Sequence, residues 1–181
     1  MLVGVDAATG ALLWQRPFVS PNDTHSVTPA VFGDTIIVSS NGPPTMAVRL
    51  ARKGSDWVAE TVWENADVPM RMSSPVLMGD MVVGLSTRNS GQYFGLDAKS
   101  GKTLWTSEGR QAGKVSVATK GDLMLSLEDD GELVVARATR AGFEPLKRYK
   151  VAETDTWTMP SYAGNRIFVK DVSNLMLWTL N

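Results

Sequence analysis

The side chains able to do chemistry in this sequence are few and scattered. There is one histidine, His25, no cysteine, and nineteen Asp and Glu against eighteen Lys and Arg, for a formal net charge of −1. A single imidazole cannot build a His-rich metal site, and without cysteine there is no thiolate nucleophile, disulfide or thiolate metal ligand. The densest acidic run, Glu128-Asp129-Asp130-Gly131, reads as a hairpin turn; a Ca²⁺ loop needs more oxygen ligands than it can place. Met70, Met72 and Met78 carry thioethers of the kind that bind Cu(I), but their setting suits packing. Phosphate loops, zinc spacings and interleaved basic–aromatic patches are absent, which with the near-neutral charge argues against a nucleic-acid partner. No catalytic residue and no metal site is assigned. What remains is a set of connector residues: His25 in Ser20-Pro21-Asn22-Asp23-Thr24-His25-Ser26, Arg71, Arg110 with Lys114, and Trp157 near Asp155. Brought to one face, His, Arg, Lys and Trp would suit an anionic or planar partner.

Whether they share a face depends on the elements around them. Gly4-Val5-Asp6-Ala7-Ala8-Thr9-Gly10-Ala11-Leu12-Leu13-Trp14 recurs as Gly95-Leu96-Asp97-Ala98-Lys99-Ser100-Gly101-Lys102-Thr103-Leu104-Trp105. Asp followed at the third place by Thr or Ser, then Gly, is turn chemistry: the short polar side chains cap local amides and Gly supplies a positive φ. Apolar residues flank each turn, so each copy predicts a β-hairpin ending on a tryptophan. The pattern residues are Asp6, Thr9, Gly10, Trp14, Asp97, Ser100, Gly101 and Trp105.

A second unit, two apolar strands around Gly-Asp or Gly-Asn, recurs at Gly33, Gly79, Gly121 and Gly164, a period of roughly 43 residues. Interleaving the units gives four antiparallel strands per period, A to D, the pattern of a β-propeller blade. The expected blades are residues 1–18 (C and D only), 27–65, 73–108, 115–152 and 157–181 (A to C only), the last strand being Leu175 to Leu180. In the third full blade Ala138-Thr139-Arg140-Ala141-Gly142-Phe143 replaces the motif, and Tyr149 falls where the tryptophan would stand. The expected architecture is all-β, a single propeller domain over 1–181 with about four blades, about half of a larger ring, which the resemblance of the repeat to known propellers makes eight-bladed. Such an arc exposes blade edges and apolar faces, so self-association is expected.

The Asp-x-x-Thr/Ser-Gly-x-x-x-Trp pattern resembles the repeat of the pyrroloquinoline-quinone-type (PQQ-like) propellers. That family holds the eight-bladed quinoprotein alcohol dehydrogenases and non-catalytic relatives such as the BamB-type outer-membrane assembly lipoproteins. The resemblance implies that the tryptophan of one blade packs on the glycine turn of its neighbour, making Trp14, Trp105, Gly10 and Gly101 structural. It implies a periplasmic or extracellular setting, although Met1 leads straight into a strand with no leader pattern. The catalytic members use adjacent cysteines and a Ca²⁺ held by Glu and Asn beside the quinone; this chain has no cysteine.

The leading expectation is a non-catalytic scaffold, without a cofactor, presenting loops at the channel mouth to a protein or small ligand, its partners including further blades of a parent propeller. The alternatives are a fragment of a PQQ- and Ca²⁺-dependent alcohol or sugar dehydrogenase, or an extracytoplasmic sensor propeller. No apolar run approaches the length of a membrane-spanning helix.

Overall fold

The computed structural model describes residues 1–21 and 24–179. Asn22 and Asp23 of the first connector, and Leu180 of the expected last strand, lie outside the described residues. The fold is an all-β propeller arc of five sheets, every pairing antiparallel and between sequence neighbours. Sheet 1 holds β1 (Leu2–Val5) and β2 (Leu12–Arg16). Sheet 2 holds β3 (Ala30–Phe32), β4 (Thr35–Val38), β5 (Thr45–Lys53) and β6 (Asp56–Asn65). Sheet 3 holds β7 (Val76–Met78), β8 (Met81–Ser86), β9 (Gln92–Asp97) and β10 (Thr103–Thr106). Sheet 4 holds β11 (Val115–Lys120), β12 (Leu123–Glu128), β13 (Glu132–Thr139) and β14 (Gly142–Lys150). Sheet 5 holds β15 (Ser161–Ala163), β16 (Arg166–Lys170) and β17 (Leu175–Thr179). Three complete four-stranded sheets are thus flanked by a pair and a triplet.

The core lies between sheets. Because strand side chains alternate, each sheet gives one apolar face to its predecessor and one to its successor. Phe18, Val38, Met46 and Val48 pack with Leu2 between sheets 1 and 2. Ile37 and Ala47 meet Val82, Phe94 and Leu96 between sheets 2 and 3. Val83 and Tyr93 meet Met124, Val134 and Ala136 between sheets 3 and 4, and Leu127 and Leu133 meet Ile167 and Val169 between sheets 4 and 5. Gly33, Gly79, Gly121 and Gly164 all sit at φ between 58° and 63°, as a tight hairpin turn requires.

The register shows which strand position the tryptophan needs. Trp14 pairs with Gly4, Trp63 with Ala47 and Trp105 with Gly95, each beside a bulge. A Cβ on Gly4 would fall 1.9 Å from Trp14 Nε1, and one on Gly95 2.4 Å from Trp105, so these indoles lie flat on the strand before them. In sheet 4 the equivalent pair is Val135 with Lys147, while Tyr149 pairs with Leu133. The expectation that Tyr149 stands in for the tryptophan is therefore corrected: Lys147 holds that place. The branched Val135 side chain fills the space over which an indole would lie.

Candidate functional site

Strand alternation puts the chain's turns on two rims. On the first, the A–B turns of sheets 3 and 4 touch the C–D hairpins that follow them: Ala98 N–H donates to Asp80 O and Ala138 N–H to Asp122 O, both at 2.9 Å. The two motif turns have the same construction. Asp6 Oδ1 accepts from the N–H groups of Ala8 (3.0 Å) and Thr9 (2.7 Å) and from Thr9 Oγ1 (2.8 Å). Asp97 Oδ1 accepts from Lys99 (3.1 Å), Ser100 N–H (2.7 Å) and Ser100 Oγ (2.7 Å). Gly10 and Gly101 share a φ of 73°. Their surroundings differ. The indole of Trp63, in the hairpin that had drifted furthest from the motif, lies against Gly101, and its Nε1 donates to Ala98 O at 3.0 Å. Among the described residues nothing lies within 4 Å of where a Cβ on Gly10 would stand. Trp105 reaches forward in the same way, donating from Nε1 to Thr139 O at 2.7 Å and stacking on Phe143.

Several charges on this rim are paired internally. Arg140 bridges Asp97 (2.5 Å) and Asp80 (3.0 Å), joining sheets 3 and 4. The guanidinium of Arg140, and then the hydroxyl of Ser100, hold the Asp97 carboxyl down at about 2. The three bonds from Thr9 and Ala8 likewise lower Asp6. Arg49 pairs with Asp34, and Arg137 with Asp122 and Glu144.

The second rim gathers the D-to-A connectors and the B–C loops: Thr87 N–H donates to Pro69 O (3.0 Å), Asp129 N–H to Lys114 O (3.1 Å) and Thr156 N–H to Asp129 O (3.1 Å). The five candidate contact residues are distributed along it. Lys114 and Trp157 meet, the ammonium standing 3.1 Å from the ring centroid, with Asp129 at 3.9 Å from the same nitrogen. Trp157 is 63% exposed. His25 stacks on Phe18, with centroids 5.4 Å apart. Arg71 and Arg110 are exposed, and among the described residues neither guanidinium has an ion pair or hydrogen bond. Arg110 has a left-handed backbone, φ 60°, and its N–H donates to Asn89 O at 2.9 Å. Asn89 and Ser90 are left-handed too, at φ 50° and 60°. These residues line a shallow cavity of about 410 Å³ with Glu108 and Gly109.

One cluster was not legible from residue spacing. Glu128 is the last residue of β12 rather than part of the acidic turn, and it is 1% exposed. Tyr93 from sheet 3 donates to Glu128 Oε1 (2.9 Å) and contacts Ser126 Oγ (2.8 Å). Arg148 Nη1 donates to Glu128 Oε2 and Glu132 Oε2, both at 2.9 Å, and its Nη2 to Gln111 Oε1 at 3.0 Å. Burial raises the Glu128 carboxyl above its usual range, against the lowering pull of Tyr93 and Arg148; burial and the Glu128 charge push the Tyr93 phenol far up. Glu128, Asp130 and Glu132 are the carboxylate trio closest to a cation site among the described residues. They do not fit Ca²⁺, because the Arg148 guanidinium already sits between two of them. The cluster locks two sheets together.

The family model described as outer membrane protein assembly factor BamB matches residues 1–107. Among curated proteins none matches. Of solved structures, BamB from Moraxella catarrhalis superposes with a TM-score of 0.70 at 17% identity, over 97% of this chain and 50% of that one. The computationally designed Ika4 protein superposes with a TM-score of 0.63 at 12% identity, over 88% of this chain and 95% of that one. At such identities these likenesses speak for the fold alone, and the chain spans half the length of that BamB. The family match covers well over half of the sequence and includes the Asp6–Trp14 and Asp97–Trp105 repeats, so the chain belongs to the BamB-like family of PQQ-like propeller repeat proteins.

Proposed function

We propose that the chain is a non-catalytic, cofactor-free propeller scaffold that presents its connector rim to a protein partner in outer-membrane assembly, outside the cytoplasm. One contrast carries this reading. On the turn rim the guanidiniums of Arg49, Arg137 and Arg140 are spent on internal carboxylates. On the connector rim Arg71 and Arg110 have no ion pair among the described residues, and Trp157 is presented to solvent with Lys114 braced on its face. An exposed indole braced by an ammonium, on a rim that also carries exposed guanidiniums, has the composition of a protein-contact hot spot. The buried acid, Glu128, is clamped by Tyr93 and Arg148 and has no access to a substrate.

The test is site-specific photo-crosslinking in the envelope, with the reactive group placed at Arg71, Arg110 or Trp157 and, as controls, at Lys99 and Lys120 on the turn rim. The reading expects one defined envelope protein at the connector positions, and Trp157→Ala with Arg110→Glu should abolish it without changing the melting temperature. Crosslinks confined to the turn rim would refute it.

A further inference from the structure

The connector rim separates its charges instead of pairing them. The connectors entering sheets 3 and 4, residues 66–75 and 107–114, and the β8–β9 loop between them carry Arg71, Arg88, Arg110 and Lys114 against Asp67 and Glu108. The connector entering sheet 5, residues 151–160, and the β12–β13 turn carry Asp129, Asp130, Glu153 and Asp155 with no cation. One half of this stretch is thus net positive and the other wholly acidic. Among the described residues the one ion pair across the seam is Lys114 with Asp129, at 3.9 Å. Local structure keeps the remaining groups apart. Thr156 is buried, its N–H donating to Asp129 O at 3.1 Å and its hydroxyl to Glu128 O at 2.6 Å. With Thr156 held inward, Glu153, Asp155, Trp157 and Met159 are left exposed. On the other half Ser26 Oγ donates to Arg71 O, and Ser73 Oγ accepts from Val115 N–H at 2.8 Å. These bonds fix the backbone and leave the Arg71 side chain exposed. Among the described residues the side chains of Arg71, Arg110, Glu153 and Asp155 have no ion pair and no hydrogen bond. The turn rim does the opposite, since Arg140 reaches from sheet 4 to both Asp80 and Asp97 of sheet 3.

We propose that this rim fits a partner segment of divided charge, with carboxylates over Arg71 and Arg110, an apolar side chain on Trp157 and cations over Glu153 and Asp155. The proposal rests on the scaffold reading and adds the chemistry and orientation of what is bound. Charge complementarity commits the occupant. A uniformly acidic segment would meet Glu153 and Asp155, a uniformly basic one would meet Arg71 and Arg110, and like charges brought together across an interface are penalised. An anionic membrane surface or a nucleic acid carries one sign of charge and therefore matches only half of the rim. Trp157 stands at the seam, in contact with Lys114 of the preceding connector, so an apolar residue seated there has opposite charges on its two sides. Each connector involved is flanked by sheets on both sides, so the arrangement is independent of what lies beyond the sequence.

Two synthetic peptides of identical composition are the probes. One has its glutamates at one end, an apolar centre and its lysines at the other; in the second, glutamate and lysine alternate around the same centre. Fluorescence anisotropy with the full chain should show the divided peptide binding about tenfold more tightly, a preference that fades as salt is added. Arg71→Glu with Arg110→Glu makes the rim acidic throughout and should erase the preference while the melting temperature stays unchanged. Adding Glu153→Lys and Asp155→Lys inverts the rim and should restore it, with the peptide seated the other way round. A photoreactive group at the glutamate end should therefore label residues 66–114 in the wild type and residues 151–160 in the inverted variant. Equal binding of the two peptides, binding of neither at low salt, or labelling away from the connectors would overturn the proposal. An envelope protein crosslinked at the rim without this peptide preference would fail the divided charge alone. The preference without an envelope crosslink would fail the scaffold reading alone.

Discussion

Gly101→Ala and Gly10→Ala, made side by side, separate the conformational cost of the motif turn from its role as a docking surface. Both glycines have φ 73°, and both N–H groups donate 2.8 Å to the oxygen of the motif aspartate. Alanine in this left-handed region costs about 1–2 kcal/mol at either site. Only at Gly101 does the new methyl meet anything: it would fall 2.4 Å from Trp63 Cδ2 and Cε3. Trp63 is 8% exposed and tethered by its bond to Ala98 O, so the ring cannot withdraw without breaking that bond. Overpacking of this kind adds roughly 1–3 kcal/mol, and a lost hydrogen bond about 1 kcal/mol more. Gly101→Ala is thus expected to cost about 3–6 kcal/mol, with Gly10→Ala held to the backbone term of about 1–2 kcal/mol. For a chain of this size each kcal/mol lowers the melting temperature by about 2–4 °C. Thermal and urea unfolding followed by far-UV circular dichroism should separate the two variants clearly. Equal shifts would show that the glycine serves only the turn, and the docking argument would fail.

Replacing Arg140 with Met should release the Asp97 carboxyl from about 2 toward its ordinary range, read by NMR titration. Because the folded value is depressed, the stabilisation is complete above the ordinary carboxylate pKa near 4 and disappears as pH falls through 2. The variant should therefore be less stable than wild type at neutral pH, and the two stability curves should converge near pH 2. Val135→Gly with Lys147→Trp should rebuild in sheet 4 the indole-on-glycine arrangement of sheets 1 and 3; the double variant should exceed the sum of the singles by about 1 kcal/mol, and a coupling of zero would deny that Val135 excludes the ring. Tyr93→Phe and Glu128→Gln should each cost about 1–3 kcal/mol and together less than their sum, since they share one hydrogen bond; additive losses would remove the sheet 3–sheet 4 latch from the account.

Local chemistry explains which parts of this were legible in advance. Gly-Asp turns and Asp-x-x-Thr/Ser-Gly turns are written in contiguous residues, and their period sets the four-strand meander. Pairings that cross between sheets are not written locally. Trp63 docks on Gly101 although its own hairpin has lost the motif, because docking needs only an indole at the right register and a bare glycine on the neighbour. The difference between Lys147 and Tyr149 depends on a bulge beside Val135, and such slips have no residue signature. The clamp of Tyr93, Glu128 and Arg148 draws on three strands of two sheets, and nothing in the spacing of positions 93, 128 and 148 announces it. Of the five connector candidates, Lys114 and Trp157 come together, while His25, Arg71 and Arg110 keep separate places on the rim.

Backbone strain is distributed unevenly between the two rims. On the turn rim, left-handed positions are filled by glycines, which take them at no steric cost. Among the described residues the only non-glycine left-handed positions are Asn89, Ser90 and Arg110. All three stand together on the connector rim around one polar cavity. Each costs of order 1–3 kcal/mol relative to a relaxed backbone. The Arg110 N–H to Asn89 O bond and the Gln111 N–H to Gly91 O bond, at 2.9 and 3.0 Å, hold this loop against its connector. On the proposed reading, these three side chains are what the loop offers a partner at the connector rim. The Arg110 backbone is fixed by these bonds, while among the described residues its guanidinium has no internal partner on the rim that also displays Trp157.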